Sequence, residues 1–168
     1  MRKELGKELR KEFDAAISRE MPGFRQIAGG APGHLRYQWR VTDALSVFLE
    51  LLVSAKDDLF TLELGWSERH EFPGGGMQFT TRLFDEPGSG GKAASPVDGG
   101  LRFQIGDVLS PPCDHWWDVV SGETRAFKWR TERPIPAVSK VAGCVRDAVQ
   151  VVKERALPYI SNRTSVVS

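Results

Sequence analysis

Cysteine is scarce in this chain, with only Cys113 and Cys144. Two cysteines do not build a disulfide framework, so the fold must hold by packing, and a reducing compartment is expected. Long apolar runs are missing too. None approaches the roughly 20 residues that span a bilayer, and residues 1–20 are charged throughout, without the apolar centre of a signal peptide. Charge of one sign is also lacking: 23 Lys and Arg stand against 22 Asp and Glu, a formal net charge of +1. That balance leaves out the electrostatic footprint of a bulk nucleic-acid binder, although a local basic face is compatible with it. A cytoplasmic protein with no membrane partner is expected.

Reaction-bearing motifs are equally thin. No Gly-x-Ser-x-Gly occurs, and Gly88-Ser89-Gly90 is a loop fragment. Gly91-Lys92 suggests a phosphate loop, but Glu86 stands where the first glycine belongs and Ala93 where Ser or Thr is needed. Cys113-x-His115 offers two metal ligands where three or four are required, and His34 and His70 are remote in sequence. No metal or cofactor is expected.

What is present is ordinary globular material, 168 residues with 40% hydrophobic and 27% charged. One α+β domain over residues 1–160 is expected, followed by a frayed polar tail, 161–168. Three runs between Leu35 and Trp66 organise it. Leu35, Tyr37, Trp39 and Val41 alternate with Arg36, Gln38, Arg40 and Thr42, the period of a half-buried strand. Leu45 to Val53 is apolar on both parities, as in a central strand covered on both sides. Phe60, Leu62, Leu64 and Trp66 alternate with Thr61, Glu63 and Gly65. Asp43-Ala44 and Lys56-Asp57-Asp58 are the turns of an antiparallel meander.

Around the meander, Leu5, Leu9, Phe13 and Ile17 recur every fourth residue and predict a helix over 3–20 that ends at Pro22-Gly23. Residues 28–33 read as a loop. Residues 77–84 fit a strand or a helical turn equally, and 87–100 is a glycine-rich loop. Leu101, Phe103 and Ile105 predict another strand, and Thr124 to Arg130 a last edge strand. Val138, Val141, Ala142, Val145, Val149, Val152 and Ala156 predict a second helix over 137–156, stopped by Pro158. Cys144 is expected to be a small buried thiol. The simplest burial is an antiparallel sheet of about five to six strands with the N-terminal and C-terminal helices on one face.

Several of these features occur together in order: Phe13 and Phe24 around the first helix, the Tyr37/Trp39 strand, Phe60-Thr61-Leu62-Glu63-Leu64-Gly65, Leu101-Arg102, Asp114-His115-Trp116-Trp117, and Ala156-Leu157-Pro158-Tyr159-Ile160. In that order the chain resembles a bacterial family known as domain of unknown function 4304. The resemblance implies a small bacterial α+β domain and supplies no catalytic residues. Small proteins of this build are frequently partners or immunity proteins in toxin systems, an analogy at the level of fold.

The candidate binding residues are Arg36, Arg40, His70, Asp114, His115, Lys128 and Arg130. Arg36, Arg40, Arg125, Lys128 and Arg130 would make a basic strand face beside aromatics, suited to nucleic acid or an acidic protein surface. Asp114-His115 between Cys113 and two tryptophans would supply a general base, or, alternatively, the tryptophans anchor a connector and Asp114 caps a helical turn. Glu50 and Glu63 stand mid-strand on neighbouring runs. They would work as an acid–base pair, or face solvent and meet Arg36 or Arg40 across the strands. The expected function is a non-enzymatic binding module, an immunity-like or regulatory partner of another bacterial protein such as a toxin or effector. The alternatives are a small hydrolase or nuclease using Asp114 and His115, and a nucleic-acid binder using the Arg36/Arg40 face.

Overall fold

The structure, a computed structural model, describes residues 1–54, 56–73, 100–126 and 140–164. The segments 77–84 and most of 87–100, together with Lys128, Arg130 and the stretch where the last strand was expected to continue, lie outside them.

Helix α1 (Lys3–Glu20) forms where its apolar residues recur, and Leu5, Leu9, Phe13, Ala16 and Ile17 are its buried stripe. The chain turns at Pro22-Gly23 into a short strand, β1 (Arg25–Ile27), then runs through β2 (Leu35–Thr42), β3 (Leu45–Val53) and β4 (Leu59–Ser67). These are the expected meander preceded by one strand the periodicity had not shown. The β2–β3 turn manages without glycine because Thr42 Oγ1 accepts the Ala44 N–H at 3.1 Å, a local side-chain substitute for a backbone turn bond. Strand β5 (Gly100–Gln104) is followed by a 3-10 turn, Ile105–Val108, then β6 (Trp116–Asp118) and β7 (Thr124–Arg125).

All pairings are antiparallel, in the order β1-β2-β3-β4-β6-β7, and β5 also pairs with β4. β5 takes the end of β4 from Glu63 to Ser67 and β6 takes Leu59 and Phe60. At its widest the sheet is therefore five strands across, along the register line Ile27, Arg36, Glu50, Glu63, Gln104.

One face is apolar. Tyr37, Val47, Leu49, Leu51, Phe60, Leu62, Leu64 and Phe103 meet the stripes of α1 and α2 (Val141–Val151) in a continuous core. Both helices thus pack on one side of an α+β sandwich, as the apolar stripes require. Trp117 stacks on Phe60 with centroids 5.1 Å apart and donates its indole N–H to Asp147 of α2 at 2.7 Å. The opposite face is covered near its centre as well. Phe72 packs on Phe48 at 5.5 Å, and the Gly29-Gly30 loop passes over Glu50 so closely that a Cβ at Gly30 would lie 2.8 Å from its carboxylate. Both glycines have positive φ, so the close approach and the backbone conformation each call for glycine.

The C-terminal helix departs from expectation. Pro158 does not stop it. After α2 the chain widens into a π turn, Val152–Ala156, and resumes as α3 (Leu157–Thr164), with Pro158 its second residue. The Leu157 N–H reaches back to Val152 O, a longer span than the α pattern. The widened turn spares Pro158 the clash its ring makes with a carbonyl four residues earlier in a regular helix. Residues 161–164, expected in a frayed tail, form the last turn of α3, and Ile160 is buried. Ala142, expected in the stripe, is exposed, and its place is taken by Cys144 and Ala148.

Candidate binding groove

Alternation along β2 sends Arg36, Gln38 and Arg40 to the face away from the helices, but the register gives them different neighbours. Arg36 lies opposite Glu50 and Arg40 opposite Ser46. They therefore do not form one open basic face.

Arg36 belongs to a buried charge row. Its guanidinium bonds both Glu50 oxygens at 3.1 and 3.2 Å. Arg102 bonds Glu50 at 3.3 Å and also bonds Glu63, while His34 Nδ1 lies 3.9 Å from Glu50. The Phe72 ring lies beneath both guanidiniums, 3.7 Å from Arg36 Cζ and 4.8 Å from Arg102 Cζ, a favourable arrangement for cations over an aromatic face. Glu50 and Glu63 are 1% and 4% exposed, so neither faces solvent as one expectation held. Burial pushes the Glu63 carboxyl above its ordinary range and Glu50 adds to that, against the pull of Arg102 and Arg36. Two carboxylates held by two arginines under an aromatic ring are neutralised structural charges.

Arg40, by contrast, is exposed. It lines an open groove of about 480 Å³ with Gly23, Arg25, Gln38 and His70. Arg25 reaches the groove because β1 sets it opposite Gln38. Its Nη1 also donates to the Pro22 and Phe24 carbonyls, which steadies the guanidinium near the groove. The far wall is His70, held by a chain of hydrogen bonds. The Asp43 carbonyl lies 2.6 Å from His70 Nε2, and a carbonyl only accepts, so Nε2 carries the hydrogen. In the neutral ring Nδ1 then accepts from Ser46 Oγ at 2.7 Å, and Ser46 in turn accepts from Gln38 Nε2 at 2.9 Å. Gln38 Nε2 also donates to the His70 carbonyl at 3.2 Å. His70 has a φ of 58°, a left-handed conformation that non-glycine residues adopt at a cost, and these bonds hold it there. The Ser46–His70 contact resembles an activated nucleophile, but Ser46 is fully buried and its hydroxyl cannot meet a substrate. It locks the groove wall.

The Asp114-His115 segment lies elsewhere. Asp114 accepts the Trp116 indole N–H at 2.7 Å and caps no helix; Trp116 opens β6 instead. His115 is half-buried, edge-on to Trp117 at 4.5 Å. Burial lowers its pKa, and Asp147 and Asp114 only partly oppose this. Cys113 Sγ is 4.0 Å from His115 Nδ1, and burial with Asp114 raises the Cys113 thiol pKa, the wrong direction for a reactive thiolate. The Cys144 thiol is pushed up to about 11 by burial, with Asp118 and Asp147 adding to it, as fits a thiol enclosed in the core. His115 lies against Trp117 on the helix side, whereas Glu50 and Glu63 project from the other face. Among the described residues, no group of three or more His, Cys, Asp or Glu could hold a metal ion.

The groove therefore unites Arg40 and His70 from the candidate residues, and adds Arg25 and Gln38, which sequence reasoning had not singled out. Arg25 follows Pro22-Gly23 in a strand of three residues, too short for alternation to show. Comparison with family models, curated proteins and solved structures finds no match. No helix among the described residues is long and apolar enough to cross a membrane.

Proposed function

We propose that this chain is a non-enzymatic binding module, an immunity-like or regulatory partner of another bacterial protein, and that it receives an acidic segment of that protein in the Arg25/Gln38/Arg40/His70 groove. The observation that carries the reading is Arg40. It is an exposed guanidinium on the wall of a preformed groove and meets no carboxylate among the described residues, whereas the two arginines deeper on the same face are committed to Glu50 and Glu63. Guanidinium groups pair with carboxylates through paired hydrogen bonds, and charge complementarity of this kind sets partner choice and association rate. The near-neutral chain favours a local acidic surface over a bulk polyanion.

The test is affinity capture from the native host with the tagged chain, followed by mass spectrometry, with Arg40→Glu run in parallel. One stoichiometric protein is expected on the wild-type chain and lost on the variant. Arg40 is exposed, so the variant keeps its circular dichroism spectrum. Recovery of nucleic acid alone, or of a protein that ignores Arg40→Glu, defeats the reading.

A further inference from the structure

We infer that the partner's segment binds as an added strand along β1, with its side chains alternating between acidic and bulky apolar residues. This deepens the binding-module reading and rests on it. Three features meet at β1. First, β1 ends the sheet: it pairs with β2 on one side and no described strand lies on the other, and Arg25 and Gln26 are exposed. Such an edge presents unpaired backbone groups to an incoming chain. Second, the cationic groove lies on the face of β1 that carries Arg25. Third, an apolar pocket of about 430 Å³ lies on the helix face, lined by Met21, Pro22, Phe24, Trp39 and Leu157, with Glu20 and Lys153 at its lip. Gly23 borders both spaces.

The pocket is built by residues that the fold holds firmly. Phe24 packs on Trp39 with centroids 5.7 Å apart. Lys153 lies 3.4 Å from Glu20 and so ties the π turn to the end of α1. The π turn and the start of α3 supply Lys153 and Leu157. A strand sends successive side chains to opposite faces. A segment laid along β1 therefore offers one parity to the Trp39 pocket and the other to Arg25 and Arg40. A polyanion would use the groove and leave the pocket empty. An apolar peptide without acids would do the reverse. Only alternating acidic and apolar side chains satisfy both faces at once.

The experiment uses a phage-displayed library of random octapeptides, selected on the full-length chain. The selected peptides are expected to alternate Asp or Glu with Leu, Ile, Phe or Val. Charge reversal by Arg40→Glu and filling of the pocket by Leu157→Trp are each expected to weaken them about tenfold or more. N-methylation of every second backbone amide in a selected peptide is expected to abolish binding. Methylation of the intervening amides is expected to leave it nearly unchanged, because only one set points at β1. Selected peptides without alternation, equal tolerance of both methylated sets, or no selected peptide overturns the strand-addition proposal. The two readings separate cleanly. A host partner lost on Arg40→Glu, beside peptides indifferent to methylation, leaves the groove standing and removes the added strand. A host partner indifferent to Arg40→Glu removes the groove itself.

Discussion

At Arg102 one guanidinium bonds two buried carboxylates, Glu50 and Glu63. These lie directly opposite one another on β3 and β4, a placement that costs stability unless a cation intervenes. Arg102→Met is expected to lower unfolding free energy by about 2–3 kcal/mol, the low side for a buried pair because the guanidinium is partly exposed. Adding Glu63→Gln is expected to recover part of that loss, with urea unfolding as the measurement. A second prediction concerns pH. Burial raises the folded-state pKa of Glu63 above its ordinary 4.5. Below 4.5 the group is protonated in both states and its contribution to stability is fully present. As pH rises through the raised folded value, the native state must ionise a buried group, and that contribution is lost. The stability of Glu63→Gln relative to wild type is therefore expected to increase from the acid side towards neutral pH. Parallel urea curves across that range check it, and a difference independent of pH would contradict the assignment.

At the scale of elements, the π turn decides how the C-terminal helix accommodates Pro158. It adds one residue to the helical path and sets Pro158 in a tolerated position, with Ile160 in the core and Leu157 at the apolar pocket. Deleting the exposed Glu154 would restore regular α-helical register. Pro158 would then lie inside a continuous helix, at a cost of about 3 kcal/mol or more, while Ile160 keeps its facing toward the core, because the shortened α turn sweeps about the same angle as the π turn it replaces. The deletion variant is expected to melt well below wild type, and Pro158→Ala in the same variant to recover part of the loss. Calorimetry reads both. A deletion that leaves the melting temperature unchanged would show that Pro158 does not depend on the π turn.

Across the whole molecule, buried residues from α1, β2 to β6, α2 and α3 belong to one contiguous cluster. A single core of this kind unfolds cooperatively. Far-ultraviolet circular dichroism follows the helices, while Trp66 and Trp117 report from β4 and β6 within the core. The two signals are expected to give the same urea midpoint, and separated midpoints would mean that the helical layer and the sheet unfold independently. The molecular scale also separates the two kinds of arginine. Arg36 and Arg40 are four residues apart on one strand face, with Gln38 between them, yet one closes a buried charge row and the other is exposed. Local alternation assigns them the same face, whereas the residues opposite them, Glu50 and Ser46, set their roles.

The sequence by itself determined α1, the β2–β3–β4 meander and the placing of both helices on one side, because each rests on an apolar repeat several residues long. Periodicity carries no signal for strands of two or three residues, so β1 and β6 came only with the pairing of distant segments, whereas β7 begins the edge strand expected from Thr124. The same holds for the helix past Pro158, where the expected stop rested on a local rule and the π turn relaxed it. Glu50 and Glu63 were legible as neighbours, but their burial under Phe72 and the Gly29-Gly30 loop was not, since segments far apart in sequence close over them. The groove is likewise a tertiary product. Arg25, Gln38, Arg40 and His70 come from three separate stretches of chain, and strand register together with the left-handed turn at His70 brings them together.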